Sequence, residues 1–263
     1  METPIQDITK YNSHMEKSLI DKIFFMDKVE ADVFIDFGCA DGSMIFMLQK
    51  MFPQHTFIGY DRSQEMIDLA WNKHAELGLS DSVRFTDNLE ELNKSIRHYR
   101  IADKTICLTM FSLIHEVYSY GLSEVQDFWK TIWGLDIDYI AIRDMCVSQT
   151  ASRPADSISV ARVRQLYDPV KISQWESLWG AIDENWSLTH FLLTYQYEHN
   201  WEREYKENYL PLSKEKLLNL IPADYLIDFV EHYTLPYLRR KIEKDFGVQL
   251  QERTHLKLIL RKV

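Results

Sequence analysis

Two carboxylates and a pair of glycines are spaced here as they would be to hold a nucleoside-bearing cofactor. Asp36, Gly38, Cys39 and Gly42 stand in the run Val33 to Ser43, VFIDFGCADGS. Glycine in such a turn reaches positive φ and lets a ligand approach the backbone with no Cβ in the way. The amides that open a following helix face the same crevice, and the helix dipole favours an anionic or electron-rich group there. Asp61 comes about one βα unit later, directly after Phe57-Ile58-Gly59-Tyr60. A carboxylate at the tip of a second strand accepts hydrogen bonds from both hydroxyls of a ribose. The dinucleotide pattern G-x-G-x-x-G is absent, and D-x-G-C-x-x-G stands in its place. Further on, His115-Glu116 could move a proton, since an imidazole titrates near neutrality. Each feature has a plainer alternative. The glycine loop could be structure alone or a different nucleotide site, and His115 could begin a helix and bond a local carbonyl.

The elements that would position these residues follow from apolar spacing. Short apolar runs predict strands at Val33 to Asp36, Thr56 to Tyr60, Ser82 to Phe85, Lys104 to Thr109 and Asp138 to Ile142, the last ending at Arg143-Asp144. Between them, helical spacing predicts helices from Ser43 to about Met51, Ser63 to Leu77 with Gly78 as C-cap, Leu89 to about Tyr99, and Ser123 to Trp133 with Ser123 as N-cap. Ahead of the first strand, Met15, Leu19, Ile23 and Met26 share a face of a predicted helix over Ser13 to Val29. Strands alternating with helices specify a doubly wound parallel sheet with helices on both faces. In such a sheet the C-terminal strand ends face the ligand crevice, which puts His115 and Glu116 near it.

The alternation then stops. Residues 146–212 are too long for an ordinary connection and hold Trp175, Trp179, Trp186, Tyr195, Tyr197, Trp201, Tyr205 and Tyr209. This stretch reads as a helical, aromatic-rich cap over the crevice, although packing onto the core is the ordinary use of such aromatics. It also carries Arg153, Arg162, Arg164, His190, His199 and Arg203, of which one or two would face substrate. Ser213 to Leu220 resumes as a capped helix, Tyr225 to Tyr233 as a strand, Leu235 to Phe246 as a basic amphipathic helix, and Thr254 to Leu260 as a strand of period two. Three units follow: 1–145, a cofactor-binding half with its N-terminal helix; 146–212, the insertion; and 213–263, the end of the core.

Composition narrows the partners. A net charge of −10 over 263 residues disfavours a large nucleic-acid footprint. Three cysteines with no C-x-x-C pair argue against a disulfide framework and a zinc site. No apolar run is long enough to span a bilayer, and the first residues lack the basic start and apolar stretch of a signal peptide. A cytoplasmic protein is expected.

With Asp36, Gly38, Cys39 and Gly42 as first motif and Asp61 as second, the chain resembles the class I S-adenosylmethionine-dependent methyltransferases. The usual middle glycine is Ala40 here. The resemblance implies a Rossmann-like seven-stranded sheet whose last strand runs antiparallel between the fifth and sixth, with the helical insertion after strand five. It implies S-adenosylmethionine as cofactor and S-adenosylhomocysteine as product. The glycine loop would pack on the methionine part, Asp61 would hold the ribose, and Asp87 or Asn88 would hold the adenine amino group. Asn88 is also a good N-cap. Ala40, Arg62 and Thr109 complete the cofactor set, and His115 and Glu116 are the catalytic candidates. No metal is expected.

No D/N-P-P-Y/F/W follows strand four and no Pro-Cys pair exists, which argues against exocyclic base-amine and C5 pyrimidine methylation. O- or N-methylation of a small molecule remains. The competing readings are RNA methylation, for which the cluster Arg239, Arg240, Lys241 and Lys244 speaks, and a catalytically silent cofactor-binding subunit that uses the insertion as a partner interface.

Overall fold

The computed structural model describes residues 19–78 and 82–263. Its centre is one mixed seven-stranded sheet of order β3-β2-β1-β4-β5-β7-β6. The strands are β1 (Val33–Phe37), β2 (Thr56–Tyr60), β3 (Val83–Thr86), β4 (Ile106–Phe111), β5 (Tyr139–Met145), β6 (Tyr225–Tyr233) and β7 (His255–Lys262). The first five are parallel to one another, and β7 is antiparallel to both β5 and β6. This is the sheet expected from the resemblance.

Every residue of β1 and β4 is buried, because helices cover both faces of the sheet. Alternation divides their side chains. Val33, Ile35, Phe37, Ile106, Leu108 and Met110 pack on one side with α3 (Leu89–Ile101) and α5 (Leu122–Gly134). Phe34, Cys107 and Phe111 pack on the other with α1 (Ser43–Met51) and α2 (Gln64–Leu77). The strand order reverses direction between β1 and β4, so their C-terminal ends open the switch-point crevice where ligands bind.

Boundaries differ where tertiary pairing overrides local pattern. The fifth strand was expected to stop at Ile142, but pairing with β7 continues to Met145 opposite His255, so Arg143 and Asp144 lie inside β5. The fourth runs on to Phe111, where it pairs with Arg143. Ser123 is not a cap: α5 begins one residue earlier behind Gly121 (φ 137°), and the Ser123 hydroxyl donates to Glu124. Of the predicted Ser13 to Val29 helix, residues 13–18 lie outside the described residues, and the described part is helical only from 19 to 25. Asn88 and Ser213 cap their helices as expected, Ser63 caps α2 and is not its first residue, and Gly78 closes α2 at φ 60°.

Residues 146–212 leave and rejoin the sheet at one point, where Val147 pairs with Ser213. Between them lie α6 (Ser157–Leu166), α7 (Pro169–Trp179), α8 (Asn185–Thr194) and α9 (Trp201–Glu204), with α4 (Ile114–Val117) facing them from the β4 end. Their core is a cluster of its own around Trp175, Phe191, Tyr195 and Trp201, all buried. After α10 (Lys214–Leu218), helix α11 (Pro236–Phe246) adds Leu238, Ile242 and Phe246 to that cluster. No helix among the described residues is long and apolar enough to cross a membrane.

Candidate active site

The glycine loop joins β1 to α1. Gly38 (φ 86°), Ala40 (φ 47°) and Gly42 (φ 75°) all have positive φ, so the loop coils back under the end of β1. Its packing is close: a Cβ on Gly38 would lie 2.8 Å from Leu113, and one on Gly42 would lie 2.8 Å from the Phe85 ring. Ala40 bears the left-handed conformation that glycine takes freely. The amides of Gly38 and Cys39 donate to the Tyr60 carbonyl, which fastens the loop to β2. The Cys39 side chain is buried in the core, and burial pushes its thiol well above the ordinary range.

Asp61 spans the gap between loop and helix. One carboxylate oxygen accepts from the Ala40 amide at 2.9 Å, and the other accepts from the Ser63 amide at 2.9 Å. A carboxylate offers about four acceptor positions, so it can serve these amides and ribose hydroxyls together. Asp36 is 7% exposed and accepts from the Thr109 hydroxyl at 3.0 Å. Burial pushes Asp36 up to about 6, against the pull of Thr109 and Lys22. At the end of β3, the Asn88 side-chain oxygen accepts from the amides of Glu90 and Glu91. Its oxygen therefore works as a cap, while Asp87 presents an exposed carboxylate beside it. The Arg62 guanidinium lies 3.9 Å above the Tyr120 ring.

His115 and Glu116 lie on α4, the single turn after β4. Ser112 connects the two at φ 56°, fixed by its amide on the Arg143 carbonyl at 2.8 Å. Asp144 of β5 orients α4 from below. One of its oxygens accepts from the Ile114 amide at 2.6 Å, and the other contacts His115 Nδ1 at 2.6 Å. Both side chains are almost fully buried. Burial works against an imidazolium there, but the Asp144 charge overcomes it and pushes His115 up to about 9. Burial likewise opposes ionisation of Asp144, but His115 and the Met145 and Ile114 amides hold it below the usual carboxylate range. His115 and Asp144 are therefore an ion pair at neutral pH.

Residues 203–209 of the insertion close on this pair. The Tyr209 ring meets the His115 ring edge-on, with centroids 5.4 Å apart. The Asn208 amide donates to the Ser119 hydroxyl, which donates to the His115 carbonyl. Arg203 sits 3.7 Å from Glu116 and 2.8 Å from Glu207. Of the insertion's basic residues singled out from sequence, Arg203 is the one that reaches α4. Arg153 pairs with Glu252, Arg162 donates to the Gly247 carbonyl, Arg164 pairs with Glu176, and His190 is fully buried.

Several site residues were not singled out. Asp144 was read as a strand end; its role shows only once β5 is paired out to Met145. Lys22 is 4% exposed, and burial and Arg143 lower it to about 8 against the pull of Asp36, Asp144 and Glu116. Its neighbour Asp21 accepts from Arg143 at 2.9 Å, binds Lys257 at 2.7 Å and accepts from the Tyr233 hydroxyl, which moors the N-terminal segment over the strand ends. An acid and a lysine inside an amphipathic helix carry no sequence signal for such burial. Among the described residues no group of three or more His, Cys, Asp or Glu is arranged to hold a metal ion.

Comparison with known proteins agrees with this geometry. Residues 28–118 match a family described as a methyltransferase domain, a span that runs from before β1 to the end of α4. The sequence has no match among curated proteins. Over 94% of this chain and 98% of the other, the structure is similar to the methyltransferase domain of bacterial CtHen1-C, at 11% identity and a TM-score of 0.51. It is also similar to the mitomycin 7-O-methyltransferase MmcR, at 13% identity and a TM-score of 0.50, over 96% of this chain and 56% of that one. A third, at 11% identity and a TM-score of 0.48, is geranyl diphosphate C-methyltransferase from Streptomyces coelicolor A3(2), over 97% of this chain and 82% of that one. The first two likenesses establish the fold. Over residues 28–118 the chain is similar to methyltransferase domains, and its sheet has the class I methyltransferase fold. Asp36, Asp61 and Asp87 place carboxylates at the C-terminal ends of β1, β2 and β3.

Proposed function

We propose that this enzyme methylates an oxygen or nitrogen of a small-molecule acceptor bound between α4 and residues 203–209. The observation that carries the reading is the buried His115–Asp144 pair, with Glu116 beside it, covered by Arg203 and Tyr209 of the insertion. The cofactor supplies a methyl group already activated on a sulfonium, so the protein's work is alignment and proton handling. Asp61 takes the ribose hydroxyls, Asp36 the amino group, and Asp87 the adenine amine. Gly38, Ala40 and Gly42 shape the backbone of the loop. Thr109 fixes the Asp36 carboxylate, and Cys39 and Asn88 contribute packing and a cap.

The proton role divides unevenly between the two catalytic candidates. His115 already holds its proton at neutral pH, so its imidazolium orients α4 and the acceptor and does not take a proton. Glu116 is raised by burial, against His115 and Arg203, which makes its carboxylate the better proton acceptor. The carboxylates at this mouth repel phosphates and so favour a small molecule over RNA. Exposed Arg239, Arg240 and Lys244 lie instead on α11, which packs with α6.

Screening acceptors with labelled methyl donor tests the reading. Glu116→Gln should lower kcat roughly a hundredfold on any acceptor found, with S-adenosylhomocysteine binding intact. An unchanged kcat would remove Glu116 from the proton path.

A further inference from the structure

The mouth of the crevice gathers more carboxyl groups than cations. Five, Asp36, Asp144, Glu116, Glu204 and Glu207, stand with three cations, His115, Arg203 and Lys22, and each cation already faces one of them. His115 is bound to Asp144 at 2.6 Å and Arg203 to Glu207 at 2.8 Å. Lys22 is held charged by Asp36, Asp144 and Glu116. Glu116 is left with a 3.7 Å contact to Arg203 and keeps 32% of its side chain open. Glu204 is 2% exposed, and its one hydrogen bond is received from the Tyr209 hydroxyl. Its Oε1 is buried with no hydrogen-bond partner among the described residues, and Arg203, Glu116, His115 and Glu207 are among the charged groups that act on the side chain.

An unpaired buried carboxylate oxygen is costly unless something completes it. Tyr209 and Tyr197 pack beside it, with ring centroids 6.1 Å apart and nearly perpendicular. From the orphaned Glu204 oxygen, the open Glu116 and this excess of carboxyl groups, we infer that the acceptor enters as a cation, an amine carried as its ammonium beside an aromatic or apolar body. The inference rests on the methyl-transfer reading and narrows it to nitrogen. Glu204 and Glu207 recognise the ammonium, and Glu116 accepts one of its protons, leaving a neutral amine with its lone pair. Burial raises Glu204, and burial with the neighbouring Glu204 and Glu116 carboxylates takes Glu207 to about 8 against the pull of Arg203.

The test compares three probes of one shape on the full chain loaded with S-adenosylhomocysteine: 2-phenylethylammonium, neutral 2-phenylethanol and anionic 3-phenylpropanoate. Calorimetry first establishes S-adenosylhomocysteine binding, and its failure would overturn the methyl-transfer reading and this one with it. Given that binding, the ammonium probe should raise the melting temperature and the other two should not. Glu204→Gln and Glu207→Gln should each weaken ammonium binding tenfold or more while leaving S-adenosylhomocysteine affinity unchanged, which also shows that the variants are folded. If the alcohol or the carboxylate protects as well as the ammonium, or if ammonium binding ignores both substitutions, the inference fails and the methyl-transfer reading stands.

Discussion

Ala40 holds a left-handed conformation in the middle of the cofactor loop, with its amide donated to Asp61. A Cβ there costs roughly 1 kcal/mol relative to glycine. Ala40→Gly should therefore raise stability by about that amount in urea unfolding and leave S-adenosylhomocysteine affinity unchanged; a loss of stability would show that the methyl group is packed. At the other end of the crevice, Asp144 keeps His115 charged. The His115 pKa is raised above its unfolded value near 6.5, so the pair's contribution is fully present below about 6.5 and is lost as pH rises through about 9. In Asp144→Asn, NMR titration should find the His115 imidazole well below that value, because its main opposing charge is gone and Glu116 and Glu207 oppose burial less, and the fall in stability between those pH values should flatten. An unchanged titration would mean that another group charges His115. Sequence made Asp36, Asp61 and the glycines legible because a turn and a strand tip demand those residue types at those spacings. It could not reveal Asp144, Lys22, Glu204 or Glu207, whose partners lie far away in the chain.

The insertion is held together as a unit. It returns where it left, at Val147 and Ser213, and packs its own aromatic core with α11. Trp175 is fully buried against His190 and Phe191, with ring centroids at 5.1 and 5.7 Å. Trp175→Ala should cost about 3–5 kcal/mol. Hydrogen exchange should then show lost protection across α6 to α9 while β1 and β4 keep theirs. Equal loss in both would mean that the insertion and the sheet unfold together. The aromatic density of this stretch was visible in the sequence, but the sharing of α11 was not. The basic amphipathic pattern of α11 identifies a buried stripe without saying which core receives it. Likewise the apolar run of β5 ends at Ile142, and only pairing with β7 carries the strand through Arg143 and Asp144 to the site.

At the scale of the whole molecule, the parallel part of the sheet was legible because five βα units leave few topologies, and the resemblance to class I methyltransferases placed the C-terminal strand between the fifth and sixth. What joins the parts is electrostatic. Asp21 ties the N-terminal segment to β5, β6 and β7 through Arg143, Tyr233 and Lys257, and Arg203 ties the insertion to α4 through Glu116. Both closures meet above the crevice, whose other wall is the glycine loop and Asp61. The central claim is that this crevice binds S-adenosylmethionine through that loop and that acid. The most direct test is calorimetric titration of the purified protein with S-adenosylmethionine and S-adenosylhomocysteine, beside Asp61→Ala with its folding checked by thermal melt. Micromolar binding that Asp61→Ala weakens tenfold or more, about 1.4 kcal/mol, is the predicted result. No binding by folded protein, or binding indifferent to Asp61, would contradict the account.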